Sequence, residues 1–225
     1  MKRSEINREI RLAEEFFAKF SFKLPKFAAY TVADWKKHGA EIREIFDCEL
    51  GWDLTDFGRG DFRNEGLLLF TIRNGVAGSD VYTKPYAEKI MISRSHQVTL
   101  MHCHEAKTED IINRGGGNLV FELYNRKGTS VELDDTPVTV SRDGELLTIP
   151  AGQPLVLTPG ESITLKPNLF HKFYAETGSE VMIGEVSAVN DDHNDNVFHE
   201  PQLRFPIIEE DEEPYRLLVS DYKNL

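Results

Sequence analysis

The sequence predicts a mainly β protein whose short antiparallel strands form a barrel or a sandwich, with helices near the N-terminus. From about residue 67 it contains short runs rich in β-branched and aromatic residues, separated by turn-forming clusters such as RGGG, RDGE and TPGE. Strands do not alternate with long helices, which argues against a parallel sheet. The predicted strands cover 67–72, 89–92, 97–104, 118–124, 137–140, 146–149, 155–157, 162–165, 171–175 and 180–189.

The N-terminal segment predicts an amphipathic helix over residues 4–20, with Ser4 as its N-cap. Its apolar side chains recur at steps of three and four, so they form one stripe that needs a surface to pack against. The stripe consists of Ile6, Ile10, Ala13, Phe17 and Phe20.

A short second helix is expected after Thr31, with Asp34 completing a capping box, and it is expected to end near Gly39. Residues 44–66 are rich in Gly and Asp and are expected to form loops. The whole chain, 1–225, is expected to be one domain. Within it, 1–45 form a helical appendage outside the barrel, 67–190 the β-barrel core, and 191–225 a C-terminal loop and tail. The acidic run 209–213 is expected to be a solvated surface segment.

The charge and the cysteine content exclude several classes of function. The net charge of −12 disfavours nucleic acids and anionic membranes, because both bind clustered Lys and Arg. The two cysteines, Cys48 and Cys103, support no disulfide framework. No apolar run approaches the roughly 20 residues that span a bilayer, and the N-terminal segment does not resemble a signal peptide. We therefore expect a cytoplasmic protein that binds a neutral small molecule, such as a free sugar.

A pair of histidines ends one predicted strand and indicates a metal site. His102 and His104 lie two residues apart, so both rings are expected on one face of the strand. Val98 and Leu100 are expected on that same face. Glu109 follows across a turn and can add a carboxylate oxygen from the neighbouring strand. Imidazole nitrogens with one carboxylate suit Mn, Fe, Co, Ni or Zn, with water or substrate in the remaining positions.

This pattern resembles the first motif of the cupin family, in which two histidines, a glutamate and a glycine follow at fixed spacings. His102, His104, Glu109 and Gly116 stand at those spacings. His96 occupies the place of the leading glycine of the motif.

The second cupin motif ends in a ligand histidine, which the resemblance places at His171 in KPNLFH, with Asn168 at the usual glycine position. Asn tolerates a positive φ better than most residues, so the turn is still expected. The resemblance implies a cupin-type, jelly-roll-like antiparallel β-barrel that holds one divalent cation. The remaining histidines, His38, His96, His193 and His199, are expected not to bind metal, and His199 is expected to line a pocket.

The residues around these motifs predict a polar cavity that suits a carbohydrate. Lys107 lies between His104 and Glu109, and Lys89 opens an earlier strand. The field of a divalent cation would lower the pKa of their ammonium groups or make them donors to substrate hydroxyls. Two further pairs of polar residues each share a strand face: Glu122 with Tyr124, and Glu185 with Ser187.

Longer segments are similar to D-lyxose isomerases, which are sugar isomerases of the cupin superfamily. AEKIMI, EDIINRGGGNL, ELYN, EVSAVNDD and RFPIIEEDE carry the similarity, which runs from about residue 25 to the end. It implies an intramolecular oxidoreductase that interconverts D-lyxose with D-xylulose and D-mannose with D-fructose. It also implies a homodimer and one divalent metal, usually Mn²⁺, with Co²⁺, Fe²⁺, Ni²⁺ or Zn²⁺ left open.

Such an isomerisation moves a proton between C1 and C2 through an enediolate that a metal stabilises as a Lewis acid. The resemblance places an acid near the substrate at Glu200, which is the expected general base. Lys107 is expected to stabilise or protonate a substrate oxygen. The expected substrate-binding residues are Lys89, Arg204, Glu122 and Tyr124.

Three alternatives remain open at the level of sequence. A cupin that acts on a sugar phosphate would need a cationic clamp, for which Arg94, Arg114 and Arg126 are available but not clustered. An Fe(II)-dependent cupin dioxygenase would consume O₂. A cupin that binds sugar without catalysis would not need the lysines and acids beside the metal.

Overall fold

The computed structural model describes residues 1–225, most of them arranged in antiparallel strands and the loops between them. Three α-helices lie near the N-terminus, and short 3-10 turns cover Lys26–Ala29, Ala40–Ile42 and Val219–Asn224. The helices are α1 (Arg3–Lys19), α2 (Val32–Trp35) and α3 (Arg43–Asp47). The strands are β1 (Gly51–Thr55), β2 (Leu67–Arg73), β3 (Tyr86–Ser93), β4 (Val98–His104), β5 (Glu109–Gly115), β6 (Leu119–Arg126), β7 (Leu133–Asp134), β8 (Val138–Arg142), β9 (Glu145–Ile149), β10 (Leu155–Leu157), β11 (Ser162–Leu165), β12 (Leu169–Ala175), β13 (Val181–Ala188) and β14 (Asn196–Phe198).

The strands form two sheets that face each other in a curled barrel. The eight-stranded sheet has the order β1-β2-β3-β13-β5-β11-β8-β9, and the six-stranded sheet has the order β10-β6-β12-β4-β14, with β7 paired to β6. Neighbouring strands in both sheets are antiparallel. The predicted mainly β, cupin-type antiparallel fold is confirmed.

The main core fills the space between the two sheets. Alternate residues of β6 point into it, and Leu119, Phe121 and Leu123 are completely buried there. Val181 and Ile183 of β13 meet them from the opposite sheet. Burial of each such side chain contributes about 1.5–3 kcal/mol. This apolar packing fixes the two sheets and therefore the polar side chains that they carry.

A second core lies between α1 and the outer face of β1, β2 and β3. Ile6, Ile10 and Phe17 pack there against Trp52 and Phe70. The prediction that the N-terminal helix packs outside the barrel is therefore confirmed, as is its apolar stripe as far as Phe17. The last member, Phe20, follows the end of the helix and is 36% exposed. No helix is long and apolar enough to cross a membrane.

The N-terminus of α1 is held by the acidic tail rather than by its own cap. The helix begins at Arg3, and the predicted N-cap Ser4 instead donates its backbone N–H and its hydroxyl to Asp211, at 2.9 and 2.7 Å. Arg3 is buried and forms ion pairs with Glu210 and Asp221, at 2.7 and 2.8 Å. Run 209–213 is exposed, as expected, but its carboxylates bind the helix start, where the N–H groups and the helix dipole favour negative charge.

Two other local expectations have different outcomes. Thr31 and Asp34 form the predicted capping box of α2, but this helix ends at Trp35 rather than near Gly39. The segment 44–66, expected to be loop, contains β1, whose Trp52 and Leu54 pack under α1. The Gly and Asp content of this segment indicated loops, although the segment contains a strand of five residues. Strands β1 and β14 thus both lie outside the stretch predicted to form the barrel core.

Candidate metal and sugar site

A cavity opens between the two sheets at one end of the barrel, and we call it the central cavity. Nineteen residues line it. The six-stranded sheet contributes histidines to its wall, and the eight-stranded sheet contributes charged side chains. Its polar lining includes Lys89, His102, His104, Lys107, Glu109, His171, Glu185, Asp192 and Arg204.

Three of these residues form the histidine cluster, defined as His102, His104 and His171. His102 ends up beside His171 because β4 pairs with β12 in a register that places the two residues directly opposite each other. One ring nitrogen from each member lies within 4.8 Å of the others, so the three imidazoles could hold a metal ion.

A β-bulge in β4 sets the direction of His102. His171 pairs with His102, but Phe173 pairs with Thr99, so β4 contains one extra residue between those pairs. Thr99 lines the central cavity, whereas Leu100 and Met101 lie on the outer side of the sheet. The expectation that Val98 and Leu100 share the face of the histidines is therefore wrong. The bulge interrupts the alternation, as bulges beside active sites commonly do.

Backbone carbonyls orient two of the three imidazoles. Nδ1 of His102 donates to the carbonyl of Leu100 at 2.7 Å, and Nδ1 of His171 donates to the carbonyl of Leu169 at 3.0 Å. In a neutral ring this leaves the lone pair on Nε2, free to bind a metal. Burial, together with the neighbouring His171 and His104, lowers the pKa of His102 well below its usual value, which keeps that ring neutral. The third ring differs, since the buried Nδ1 of His104 has no hydrogen bond.

Glu109 completes the donor set from the opposite sheet. Its Oε1 lies 3.4 Å from Nε2 of His104 and 3.2 Å from Nε2 of His171. The structure thus brings together all four residues predicted as ligands. Three imidazoles and one carboxylate fit a divalent transition-metal ion.

Lys107 connects Glu109 to a second buried carboxylate, Glu185. Its Nζ lies 2.8 Å from Oε2 of Glu109 and 3.0 Å from Oε1 of Glu185. Burial opposes the charge of Lys107, but the two carboxylates hold its pKa above the usual range. Burial likewise opposes the charge of Glu185, yet Lys107 and Lys89 lower its pKa, so this residue is a carboxylate.

Lys89 and Ser187 complete the surroundings of Glu185. Lys89 is its direct neighbour across the β3–β13 pair, with Nζ 3.5 Å from Oε1, and it also donates to Asn190. The Ser187 hydroxyl donates to Oε1 of Glu185 at 3.1 Å. These interactions all fall on Oε1, so Oε2 of Glu185 accepts no hydrogen bond.

Arg204 lies on another side of the central cavity, between two carboxylates. Its Nη2 donates to Asp53 and Asp192, each at 2.7 Å, while its buried Nη1 has no hydrogen bond. Burial raises the pKa of Asp192, but the Arg204 charge prevails and holds it well below the usual value. The predicted substrate-binding residues Lys89 and Arg204 therefore do reach the cavity.

Three predicted site residues lie elsewhere, on the outer side of the six-stranded sheet. Leu119, Phe121 and Leu123 of β6 point inward, so Glu122 and Tyr124 point outward. Glu200 follows β14 and pairs with Arg59 at 2.9 Å. We call this surface the outer depression; it is lined by Arg59, Glu65, Val98, Leu100, Met101, Glu122, Tyr124, Leu133, Lys172, His199, Glu200 and Gln202. The structure does not bring Glu122, Tyr124 or Glu200 to the central cavity, which corrects their predicted placement.

Three acidic residues at or beside the cavity had no assigned role in the sequence analysis: Asp53, Glu185 and Asp192. Glu185 had a signal, because it shares an alternating face with Ser187 and with the buried Val181 and Ile183. Asp53 and Asp192 had none, because their position depends on long-range contacts with Arg204.

The two unusual motif positions adopt the backbone of the glycines that they replace. His96 has φ +68° and Asn168 has φ +63°, both in the left-handed region. His96 is exposed, and none of the four histidines expected to be non-ligands lines the central cavity. His199 lines the outer depression instead.

Known proteins with similar sequences show the family to which this chain belongs. The family model for D-lyxose isomerase matches residues 1–222. The chain belongs to the D-lyxose isomerase family. A D-lyxose/D-mannose isomerase of Serratia proteamaculans is 50% identical over 99% of this chain and 98% of its own length. One from Escherichia coli O157:H7 is 48% identical over 99% of both chains. Family membership makes this chain an enzyme, a sugar isomerase.

Solved structures of other sugar isomerases share the fold. The L-ribose isomerase of Acinetobacter sp. DL28, in complex with L-ribose, has a TM-score of 0.59 at 13% identity, covering 93% of this chain and 98% of its own. The L-ribose isomerase of Cellulomonas parahominis with L-psicose has a TM-score of 0.58 at 16% identity, with the same coverage. At these identities the likeness extends to the fold alone.

Proposed function

We propose that this protein is a metal-dependent aldose–ketose isomerase that interconverts D-lyxose and D-xylulose, and also D-mannose and D-fructose. One observation carries the proposal: Lys107 joins the carboxylate beside the histidine cluster, Glu109, to a second carboxylate, Glu185. Metal donors, a proton acceptor and an ammonium donor are thereby adjacent in one cavity. The names of the relatives, D-lyxose/D-mannose isomerase, support the two aldoses.

His102, His104, Glu109 and His171 would hold the divalent ion, with Mn²⁺ as the expected metal. When bound, the ion supplies Lewis-acid polarisation of the oxygens on the two reacting carbons. The donor set does not select among Mn²⁺, Co²⁺, Fe²⁺, Ni²⁺ and Zn²⁺, because ligand type alone does not distinguish these ions.

Glu185 replaces Glu200 as the general base in this proposal. Its carboxylate is ionised, buried and anchored through Oε1, which leaves Oε2 to accept a proton from C2 of the aldose. The C2–H bond breaks and its electron pair forms the C1–C2 double bond of the enediolate. The proton on Glu185 exchanges with solvent before Glu185 delivers a proton to C1. A positioned base of this kind contributes roughly 10²–10⁴-fold in rate.

Lys107 is the proposed residue for proton transfer at the substrate oxygens O1 and O2. Conversion of aldose to ketose requires that O1 gains a proton and O2 loses one. The ammonium of Lys107 is held charged by its two carboxylates, so it can donate a hydrogen bond to O1. If Lys107 passes a proton to O1, its neutral amine takes up the proton that O2 loses, which restores the ammonium. Lys89 and the free Nη1 of Arg204 would bind hydroxyls farther along the chain of the sugar.

The charge balance of the central cavity favours a free sugar over a sugar phosphate. Its lining has three acids, Glu109, Glu185 and Asp192, and three cations, Lys89, Lys107 and Arg204. Each cation contacts a carboxylate. The arginines considered for a phosphate clamp, Arg94, Arg114 and Arg126, are absent from that lining. A phosphate would have to compete with these carboxylates for a cation, whereas a neutral polyhydroxylated substrate needs no unpaired cation.

The test is to remove bound metal with a chelator, restore Mn²⁺, and follow D-lyxose, D-mannose and D-xylulose by NMR in D₂O. We expect no turnover without metal, recovery with Mn²⁺, and deuterium at the carbon that accepts the proton. Metal binding without turnover of any free pentose or hexose would refute the isomerase proposal. Turnover without deuterium would refute the proton-transfer route.

The proposal extends to two expectations taken from the family resemblance. We expect a homodimer, which sedimentation measurements would test. We also expect a cytoplasmic location, which cell fractionation would test.

A further inference from the structure

The three imidazoles of the histidine cluster differ in what their Nδ1 atoms contact. His102 and His171 donate their Nδ1 protons to backbone carbonyls two residues earlier. The corresponding atom of His104 is buried and donates to no group. A buried imidazole without a partner can carry its proton on either nitrogen, and only a lone pair on Nε2 suits metal binding.

Asp195 is the acidic group that faces this nitrogen. Its Oδ2 lies 3.6 Å from Nδ1 of His104, and its side chain is only 12% exposed. It belongs to the loop that leads into β14, and the next residue, Asn196, pairs with His104 in the β14–β4 ladder. The backbone of Asp195 also accepts the N–H of Glu105 at 3.1 Å.

The same carboxylate fixes the turn between His104 and Lys107. Oδ1 of Asp195 accepts the backbone N–H of Ala106 at 2.7 Å, and Oδ2 accepts the backbone N–H of Lys107 at 3.2 Å. One side chain therefore touches the turn on which both a candidate metal ligand and the candidate oxygen-protonating lysine depend. Shortening the contact with His104 by less than 1 Å would give an ordinary charge-assisted hydrogen bond.

We propose that Asp195 is a positioning residue, which accepts the Nδ1 proton of His104 and thereby presents Nε2 of that ring to a divalent cation. This inference rests on the proposed metal-dependent function and adds a residue to it. Carboxylate–histidine–metal arrangements of this kind are common, and loss of the carboxylate typically lowers metal affinity 10–100-fold.

The deciding variant is Asp195→Asn. Its single amide oxygen is expected to keep the shorter bond from Ala106, which turns the NH₂ group toward the His104 ring. His104 must then accept at Nδ1 and carry its proton on Nε2, where the proton blocks metal binding. Asp191→Asn is the matched control: the residue lies in the same loop and is likewise partly buried, the change removes the same charge, and its side chain bonds only to His193 and Asn194.

Affinity for Mn²⁺ is measured by electron paramagnetic resonance titration of chelator-treated protein, without sugar. We expect affinity to fall about 10–100-fold in Asp195→Asn and to stay unchanged in Asp191→Asn. Equal affinity in the two variants would overturn the role of Asp195 while leaving the isomerase proposal intact. A wild-type protein that binds no Mn²⁺ would overturn both.

A spectroscopic measurement separates positioning from simple loss of structure. In the Zn²⁺-loaded wild type, ¹⁵N-labelled histidine should show three protected ring N–H signals, from His102, His104 and His171. Asp195→Ala and Asp195→Asn should each lose or shift the His104 signal alone. Loss of all three signals, or no change in the His104 signal, would overturn the proposal.

Discussion

The central cavity and the outer depression lie on the two sides of the six-stranded sheet and contain similar residues, but they differ in how far water reaches them. The central cavity contains Lys107 and Glu109, whose side chains are 2% and 3% exposed. The outer depression contains Lys172 and Glu122, which form an ion pair at 2.6 Å with side chains 29% and 22% exposed. Composition alone does not distinguish the two surfaces.

Burial makes the two sets of charges energetically different. Removing one partner from a buried pair leaves an uncompensated charge and costs about 3–5 kcal/mol, whereas an exposed pair contributes about 0–1 kcal/mol. A network of buried charges opposes stability unless every member is paired, so its presence in a cavity indicates function. On this basis the inner side of the sheet is the candidate active site, and the outer side carries ordinary surface pairs.

The largest expected effect comes from replacing the acid Glu185 in the central cavity, with replacement of Glu200 in the outer depression as the matched change. Glu185→Gln should lower kcat roughly 10²–10⁴-fold, because the amide cannot accept the C2 proton. It should leave Mn²⁺ binding in place, since Glu185 is not in the donor set. Glu200→Gln, the matched change in the outer depression, should leave kcat unchanged, since Glu200 contacts Arg59 rather than the cavity. Steady-state kinetics with D-lyxose and metal analysis check both.

The opposite result would reverse the comparison. A normal kcat in Glu185→Gln together with a large loss in Glu200→Gln would return the general base to the position predicted from sequence. It would also require the loop after β14 to move toward the histidine cluster during catalysis.

The second effect is on stability and compares two lysines. Lys107→Met leaves Glu109 and Glu185 buried without their shared cation, and it should lower the free energy of unfolding by about 3–5 kcal/mol. Lys172→Met should lower it by less than ~1 kcal/mol. Urea denaturation of metal-free protein measures both. Equal losses would mean that water reaches the inner network as freely as the outer pair.

The third effect concerns substrate binding at the far side of the cavity. Arg204→Lys keeps a positive charge between Asp53 and Asp192 but removes the unpaired Nη1. The loss of one hydrogen bond worth about 1–1.5 kcal/mol should raise KM about tenfold with little change in kcat. Arg59→Lys in the outer depression is the control and should change neither constant. A fall in kcat alone would assign Arg204 to the chemical step instead.

Part of the candidate site could be predicted because it depends on local geometry. His102, His104 and Glu109 lie on two consecutive strands joined by a short turn, so the spacing indicates that these groups lie close together, although the two strands belong to opposite sheets. His171 required only that its strand pair with the first, which the register opposite His102 fulfils. The apolar stripe of α1 could also be predicted, because its periodicity is local; the strand β1 that it packs against was not predicted.

The remainder depends on contacts between distant segments. Glu122 is an exception, because the alternating apolar Leu119, Phe121 and Leu123 in its own strand are a local signal that Glu122 points outward. The bulge at Leu100–Met101 exists only in the pairing of β4 with β12, and no residue in the sequence marks it. Glu200 depends on the path of the chain after β14, which its ion pair with Arg59 reflects.

The smallest expected effect tests whether the outer pair matters at all. A double-mutant cycle with Glu122→Gln and Lys172→Met should give a coupling free energy of about 0.2–1 kcal/mol, and both single variants should keep wild-type kcat. The corresponding cycle with Glu185→Gln and Lys107→Met should give a larger coupling, because no water replaces either partner. If the outer coupling equals the inner one, burial does not distinguish the two faces, and the assignment of the active site would rest on the histidine cluster alone. A small outer coupling with intact catalysis would mean that these charges serve solvation only, and that one sheet supports catalysis on a single side.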